Sequence, residues 1–323
     1  MKRLALLGLG AMAVVAILAR RPVIHASVEA TRPAATPPKG AFNALTVRHI
    51  PPSAQEAREI ALGELLFGDT RLSGDGKRSC VTCHDVTTNG ASGRERDLTP
   101  QGQPLPVNTP TVFNAARNFR LNWSGNARTL ESQARASLQN PSIMGADLTK
   151  VARVLAADAA TAERFHDTYR RDPRPEDIVR ALARYEATLI TPGSRFDHYL
   201  MGEALALSAG EQRGYKLFQS VGCASCHQGV NVGGNLYQRS GVFHPAAKAD
   251  SPVLRVPSLR NVATTAPYFH DGSAETLEDA VRAMGRAQLN RVLTADQVAD
   301  IAAFLRSLNG VYRDRPVTQA APR

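Results

Sequence analysis

At 323 residues the chain is too long for one ordinary core, so two domains are expected. The formal net charge is +10, and removal of residues 1–26 would take away Lys2, Arg3, Arg20 and Arg21 but no acid, leaving +6. That excess suits docking of an acidic partner, whereas no Lys/Arg cluster interleaved with aromatics points to nucleic acid. Lys2 and Arg3 precede an apolar run from Leu4 to Ala19, and Ile24-His25-Ala26 is an imperfect cleavage site. Residues 1–26 therefore read as a signal peptide or an N-terminal anchor. No cysteine follows the run, which excludes a lipoprotein anchor. Residues 27–45, rich in Ala, Pro and Thr, read as a flexible linker.

An N-terminal domain is expected over residues 46–200. Ser53 and Glu56 form a capping box that opens a helix to about Phe67. The loop Leu72-Ser73-Gly74-Asp75-Gly76 delivers the chain to Cys80-Val81-Thr82-Cys83-His84. C-x-x-C-H is the attachment signature of c-type haem. Two thiols one turn apart form thioethers to the haem vinyl groups, and the adjacent histidine reaches the iron as proximal ligand. A long Gly-, Asn-, Thr- and Pro-containing loop follows to about Pro110. Its length points to function, such as covering the distal face of a haem. Helical patterns then fall at roughly 111–118, 129–139, 148–171 and 175–190. Pro175 starts the last of these, with Ile178, Leu182, Tyr185 and Leu189 on one stripe.

Thr191-Pro192-Gly193-Ser194 marks the break between domains, and Phe196-Asp197-His198-Tyr199 bridges it. The C-terminal domain is expected over residues 201–312. Ser208 and Glu211 cap the helix that leads to a second motif, Cys223-Ala224-Ser225-Cys226-His227. The chain has four cysteines, and the two motifs consume all of them. A redox dithiol or half a zinc site is therefore a poor reading, and the chain should carry two covalent haems c. Export suits this chemistry, because haem c is attached outside the cytoplasm. A Gly/Asn-rich loop runs from Gly229 to Gly241. Thr276 and Asp279 cap a helix carrying Val281 and Met284. Thr294 and Gln297 cap a final helix carrying Val298, Ile301, Leu305 and Leu308, with Gly310 as its C-cap. Residues 313–323 read as a tail. No strand pattern is evident. The expected fold is all-α, with two cytochrome c-like haem domains packed against each other as a diverged internal repeat.

Several stretches resemble the bacterial di-haem cytochrome c peroxidase family, which includes the MauG-type enzymes. They are Leu72–Gly76, Asn108-Thr109-Pro110-Thr111, Trp123 with Gly125, Gln139-Asn140-Pro141, Val256–Val262 and Thr265-Ala266-Pro267-Tyr268-Phe269-His270-Asp271-Gly272. With both haem motifs they cover about residues 55–310 in the family order. The resemblance implies that the C-terminal haem admits electrons, with His227 proximal and Met284 distal. It implies that peroxide reacts at the N-terminal haem, with His84 proximal and Gln133 matching a distal glutamine. Trp123 matches the inter-haem tryptophan, and Asn108, Thr265 and Pro267 match the ligands of a calcium ion. Oxygen donors of the carbonyl type suit that hard cation.

Two departures fall at the N-terminal haem. Residues 85–165 hold no histidine, so its iron is expected to be five-coordinate or water-bound without reductive activation. The family's distal glutamate lies in an Asn-Pro-x-Glu-Met-Gly pattern, but the stretch here is Asn140-Pro141-Ser142-Ile143-Met144-Gly145. Isoleucine cannot shuttle a proton. Three functions are compatible. The first is a periplasmic peroxidase that takes electrons from a small protein such as a cytochrome c or cupredoxin, reduces hydrogen peroxide and forms homodimers. The second is a MauG-like oxidation of a protein or small molecule through high-valent haem. The third is a di-haem carrier or ligand sensor that lacks efficient turnover because of Ile143.

Overall fold

A computed structural model describes residues 42–46, 51–246 and 252–320. The expected signal segment 1–26, His49, most of the expected linker and residues 321–323 lie outside the described residues.

The N-terminal half opens with α1 (Ala54–Phe67). Its capping box forms as the sequence requires, with Ser53 N donating to Glu56 Oε2 at 3.0 Å and Glu56 N to Ser53 Oγ at 3.2 Å. After the first haem motif come α2 (Leu130–Gln139), α3 (Leu148–Ala157), α4 (Ala159–Tyr169) and α5 (Pro175–Glu186). The single helix expected over 148–171 breaks at Asp158, whose carboxylate caps α4 by accepting from Thr161 N. The stretch expected to be helical over 111–118 forms only a 3-10 turn, Ala115–Arg117.

The C-terminal half comprises α6 (Arg195–Leu200), α7 (Ala209–Ser220), α8 (Leu277–Leu289) and α9 (Ala295–Arg306). In each half the first long helix packs on the last one, α1 on α5 and α7 on α9. Both crossings depend on a glycine. A Cβ on Gly63 would lie 1.9 Å from the Ala181 carbonyl oxygen, and one on Gly214 would lie 1.8 Å from that of Asp300. The first pair encloses Leu62, Leu66, Phe67, Ile178, Leu182 and Tyr185. The second encloses Tyr215, Phe218, Val298, Ile301, Phe304 and Leu305. The expected all-helical pattern with two cytochrome c-like domains is thus observed, with four short strands added among the described residues. β1 (Tyr237–Arg239) pairs antiparallel with β2 (Val253–Arg255), and β3 (Val311–Tyr312) with β4 (Arg315–Pro316).

Three expectations at the ends of the chain need correction. Residues 313–320 are not a loose tail, because β3 and β4 form a hairpin and Val317 is buried in the N-terminal core. The Tyr312 ring lies 5.0 Å from that of Phe113. The linker expected over 27–45 has a packed end. Phe42 meets Phe196 and Tyr215 edge-on, and Leu45 N donates to Asp197 Oδ1 at 2.7 Å. Gly310 is not the cap of α9, which ends at Arg306 with Ser307 as its C-cap. It is a site of close approach, where a Cβ would lie 2.0 Å from the Thr191 carbonyl oxygen.

The repeat is visible in the loops as well. Asn114 and Asn261 are both left-handed, at φ 60° and 61°, and each starts a 3-10 turn. Both side-chain amides donate to Thr191 Oγ1, at 2.7 and 2.8 Å. Thr191 N donates back to Asn114 Oδ1, and Gly310 N donates to Asn261 Oδ1, both at 2.9 Å. The break between domains is therefore a fully buried node that joins matching turns of both halves.

Candidate functional site

Each C-x-x-C-H motif forms a 3-10 turn, Cys80–Thr82 and Cys223–Ser225. The backbone N–H of His84 donates to Cys80 O at 2.9 Å, and that of His227 to Cys223 O at 3.0 Å, which sets each histidine one turn past its first cysteine. None of the four cysteines is in a disulfide. Burial pushes the Cys80, Cys83 and Cys223 thiols up, Cys83 to about 12 and Cys223 to about 11. Burial also holds both imidazoles in the neutral form that a metal requires, His227 being pushed down to about 4. His84 Nδ1 lies 3.1 Å from Gly90 O, which orients the ring and leaves Nε2 for a ligand. His227 Nδ1 is buried without a well-aligned hydrogen bond, although the Val232 and Pro257 carbonyls act on it. A Cβ on Gly233 would lie 2.1 Å from Pro257 O and 3.3 Å from His227 Nδ1, so glycine keeps that side of the ring clear.

A cavity of about 250 Å³ opens in the C-terminal half. Cys223, Cys226 and His227 line it together with Met284 of α8, and Phe218, Leu259, Val281 and Leu305 complete an apolar wall. Paired thiols, a neutral imidazole, a facing thioether and apolar walls fit a covalent haem. Asn108, Trp123, Thr265, Pro267 and His270 line the same cavity on the side facing the N-terminal half.

Trp123 and His270 occupy matching positions in the repeat, each nine residues after its left-handed asparagine. Their rings meet edge-on at 6.3 Å. Trp123 Nε1 donates to Asn108 O at 2.8 Å. Asn108 Nδ2 donates to the Arg94 and Glu95 carbonyls at 3.0 and 3.1 Å. These bonds occupy the amide nitrogen of the side chain.

Gln133 of α2 donates through Nε2 to Ser137 Oγ at 2.9 Å and to Asn122 Oδ1 at 3.4 Å. Ile143 packs against the N-terminal core, and Met144 is buried within it. Gly74 N donates to Met144 O at 2.7 Å, and a Cβ on Gly74 would lie 2.3 Å from Gly145 O. The loop before the motif thus straps down the loop that carries Ile143. His166 pairs with Asp172 and His198 with Glu203, both at exposed sites, and His244 Nε2 meets Asn290 Oδ1 at 3.1 Å. Sequence reasoning missed Glu186, which is 8% exposed at the end of α5 and whose carboxylate has no hydrogen bond or ion pair among the described residues. Burial, reinforced by the Glu131 charge, pushes its carboxyl up to about 8, and its field in turn raises the Cys80 thiol. The signal was present in the sequence, since Glu186 directly follows Tyr185 of the buried stripe.

The architecture and the two attachment sites define a protein with two cytochrome c domains. The family model for "Di-haem cytochrome c peroxidase" matches residues 57–205, and the one for "Cytochrome c" matches residues 211–309. The chain is 41% identical over 275 residues to the cytochrome c551 peroxidase of Nitrosomonas europaea, covering 80% of this chain and 82% of that protein. It is 32% identical over 235 residues to the methylamine utilization protein MauG of Methylorubrum extorquens, covering 68% and 66%. A solved MauG-like protein associated with microbial copper homeostasis superposes with a TM-score of 0.69 at 28% identity, covering 84% of this chain and 94% of that one. The chain belongs to the di-haem cytochrome c peroxidase family. It is an oxidoreductase that binds haem c covalently.

Proposed function

We propose that the protein is exported to the periplasm and reduces hydrogen peroxide at the His84 site with electrons admitted at the His227/Met284 site. Two electrons and two protons convert peroxide to two waters. Bound haem supplies the redox-active iron at each site. The observation that carries the reading is the asymmetry of the two sites. Met284 shares a cavity with His227, whereas residues 85–165 hold no histidine that would serve as a second ligand to a haem held by His84. A thioether ligand raises an iron's potential, which suits an electron acceptor. Gln133 positions a ligand at the open site. Trp123 lies between the sites, and Asn108, Thr265 and Pro267 hold calcium at the interface. The donor is a small redox protein such as a cytochrome c or cupredoxin, and the working form is a homodimer.

The missing loop histidine also favours a second reading, MauG-like oxidation of a protein or small-molecule substrate without prior reduction. Ile143 favours a third, in which the open site senses a ligand and turns over slowly. Mixing the oxidised holoprotein with peroxide and following the Soret band and the iron EPR signal separates them. Rapid change without reductant supports an open reactive site. No reaction, before or after half-reduction, overturns both enzymatic readings.

A further inference from the structure

Among the described residues two arginines are almost completely buried, and they are balanced differently. Arg260 donates to Asp197 Oδ1 at 2.7 Å and to Ser194 Oγ at 3.0 Å, so its charge is neutralised within the chain. Arg255, at the end of β2, is 5% exposed. Its Nε donates to Asn122 O at 3.1 Å and its Nη1 to Val256 O at 3.2 Å. Among the described residues its Nη2 has no acceptor and the side chain forms no ion pair. A buried cation without a counter-ion is strongly unfavourable. Burial accordingly pulls the guanidinium down to about 10.

The repeat indicates what the position is for. Six residues before the left-handed asparagine of each half stand Asn108 and Arg255. Their backbones make reciprocal bonds across the interface, Asn108 N to His270 O and Arg255 N to Trp123 O, each at 2.8 Å. One half thus presents a neutral amide at this position, while the other presents a cation. Arg255 lines the cavity that carries Cys223, Cys226, His227 and Met284. The group that fills this cavity bears two carboxylates, its propionates.

We infer that Arg255 is the internal counter-ion of the C-terminal haem, receiving a propionate carboxylate on its unused N–H groups. The same side chain is anchored to Asn122 O, so the propionate is tied to the segment that carries Trp123. A fixed positive charge favours the reduced iron, and Arg255 therefore acts as a positioning residue that raises the potential of this haem. The inference rests on the His227/Met284 reading for its functional meaning, but the interaction itself does not require Met284 as ligand.

The test is a spectroelectrochemical titration of the holoprotein carrying Arg255→Gln or Arg255→Lys. In Arg255→Gln the reduced-to-oxidised ratio of the C-terminal haem at fixed poise should fall on the order of tenfold, while Arg255→Lys stays near the parent. An unchanged ratio in haem-loaded Arg255→Gln overturns the inference. Should Arg255→Gln fail to load haem, resonance Raman of the intact parent and Arg255→Lys decides. The propionate-bending mode should shift between them, and an identical mode overturns the inference. The near-infrared thioether-to-iron band is read in the same samples. Its absence from the parent would sink the Met284 assignment alone.

Discussion

Laid over each other, the two halves share their supports and differ where they face the cofactors. Gly63 and Gly214 sit at equivalent helix crossings, Asn114 and Asn261 start equivalent turns, and Thr129 and Thr276 cap equivalent helices. At the matched positions that face inward, Trp123 stands opposite His270 and Asn108 opposite Arg255. The distal elements diverge further. The C-terminal cavity receives Met284 from a regular helix, whereas the N-terminal half presents a strapped loop with Ile143. Packing thus fixes one scaffold twice, and a small number of side chains give its two copies different chemistry.

The sharpest way to break the asymmetry is Ile143→Glu, which restores a titratable group in the N-terminal half. Peroxide consumption should rise on the order of 10²–10⁴-fold if proton transfer limits turnover. Stopped-flow rates equal to the parent's would refute that limit.

A second difference is Glu186, a buried acid whose carboxyl is raised from 4.5 to about 8. A raised folded-state pKa means that the protonated form is the one favoured by folding. Its stabilising effect is complete below about 4.5 and is lost as pH rises through about 8. Glu186→Gln should flatten that part of the pH–stability curve by a few kcal/mol. Denaturant titrations across the range check this, and parallel curves for parent and variant would show that the carboxyl is not held neutral.

The smallest expected effect targets what the halves share. Thr191→Val removes the acceptor of both the Asn114 and Asn261 amides. The loss should be about 1–3 kcal/mol, with both haem spectra perturbed together. A change confined to one haem would argue against a common node.

What the sequence disclosed were features written locally. The haem motifs and the boxes at Ser53, Ser208 and Thr294 need only three to five consecutive residues, and all form as read. The resemblance singles out Met284 because one methionine stands on a capped helix after the His270 stretch, and that residue lines the cavity with His227. The strands escaped notice because ladders of two or three residues carry no alternating pattern, and β1 finds its partner across a long loop. Asp158 was hidden inside an amphipathic run that continued on both sides of it. Gly310 looked like a helix terminator because the carbonyl it must clear, that of Thr191, is remote in sequence. The importance of Arg255 depends on an absent carboxylate, and only a three-dimensional neighbourhood can reveal that.

The node at Thr191 bears on how electrons move. Tunnelling rates fall exponentially with the gap to be crossed, so a gap that fluctuates gives a spread of rates. Here one buried hydroxyl accepts from matching turns in both halves and ties the two attachment domains to a common point. Transfer between them should behave as a property of a rigid body, independent of solvent viscosity and ionic strength, whereas delivery from an external donor depends on both.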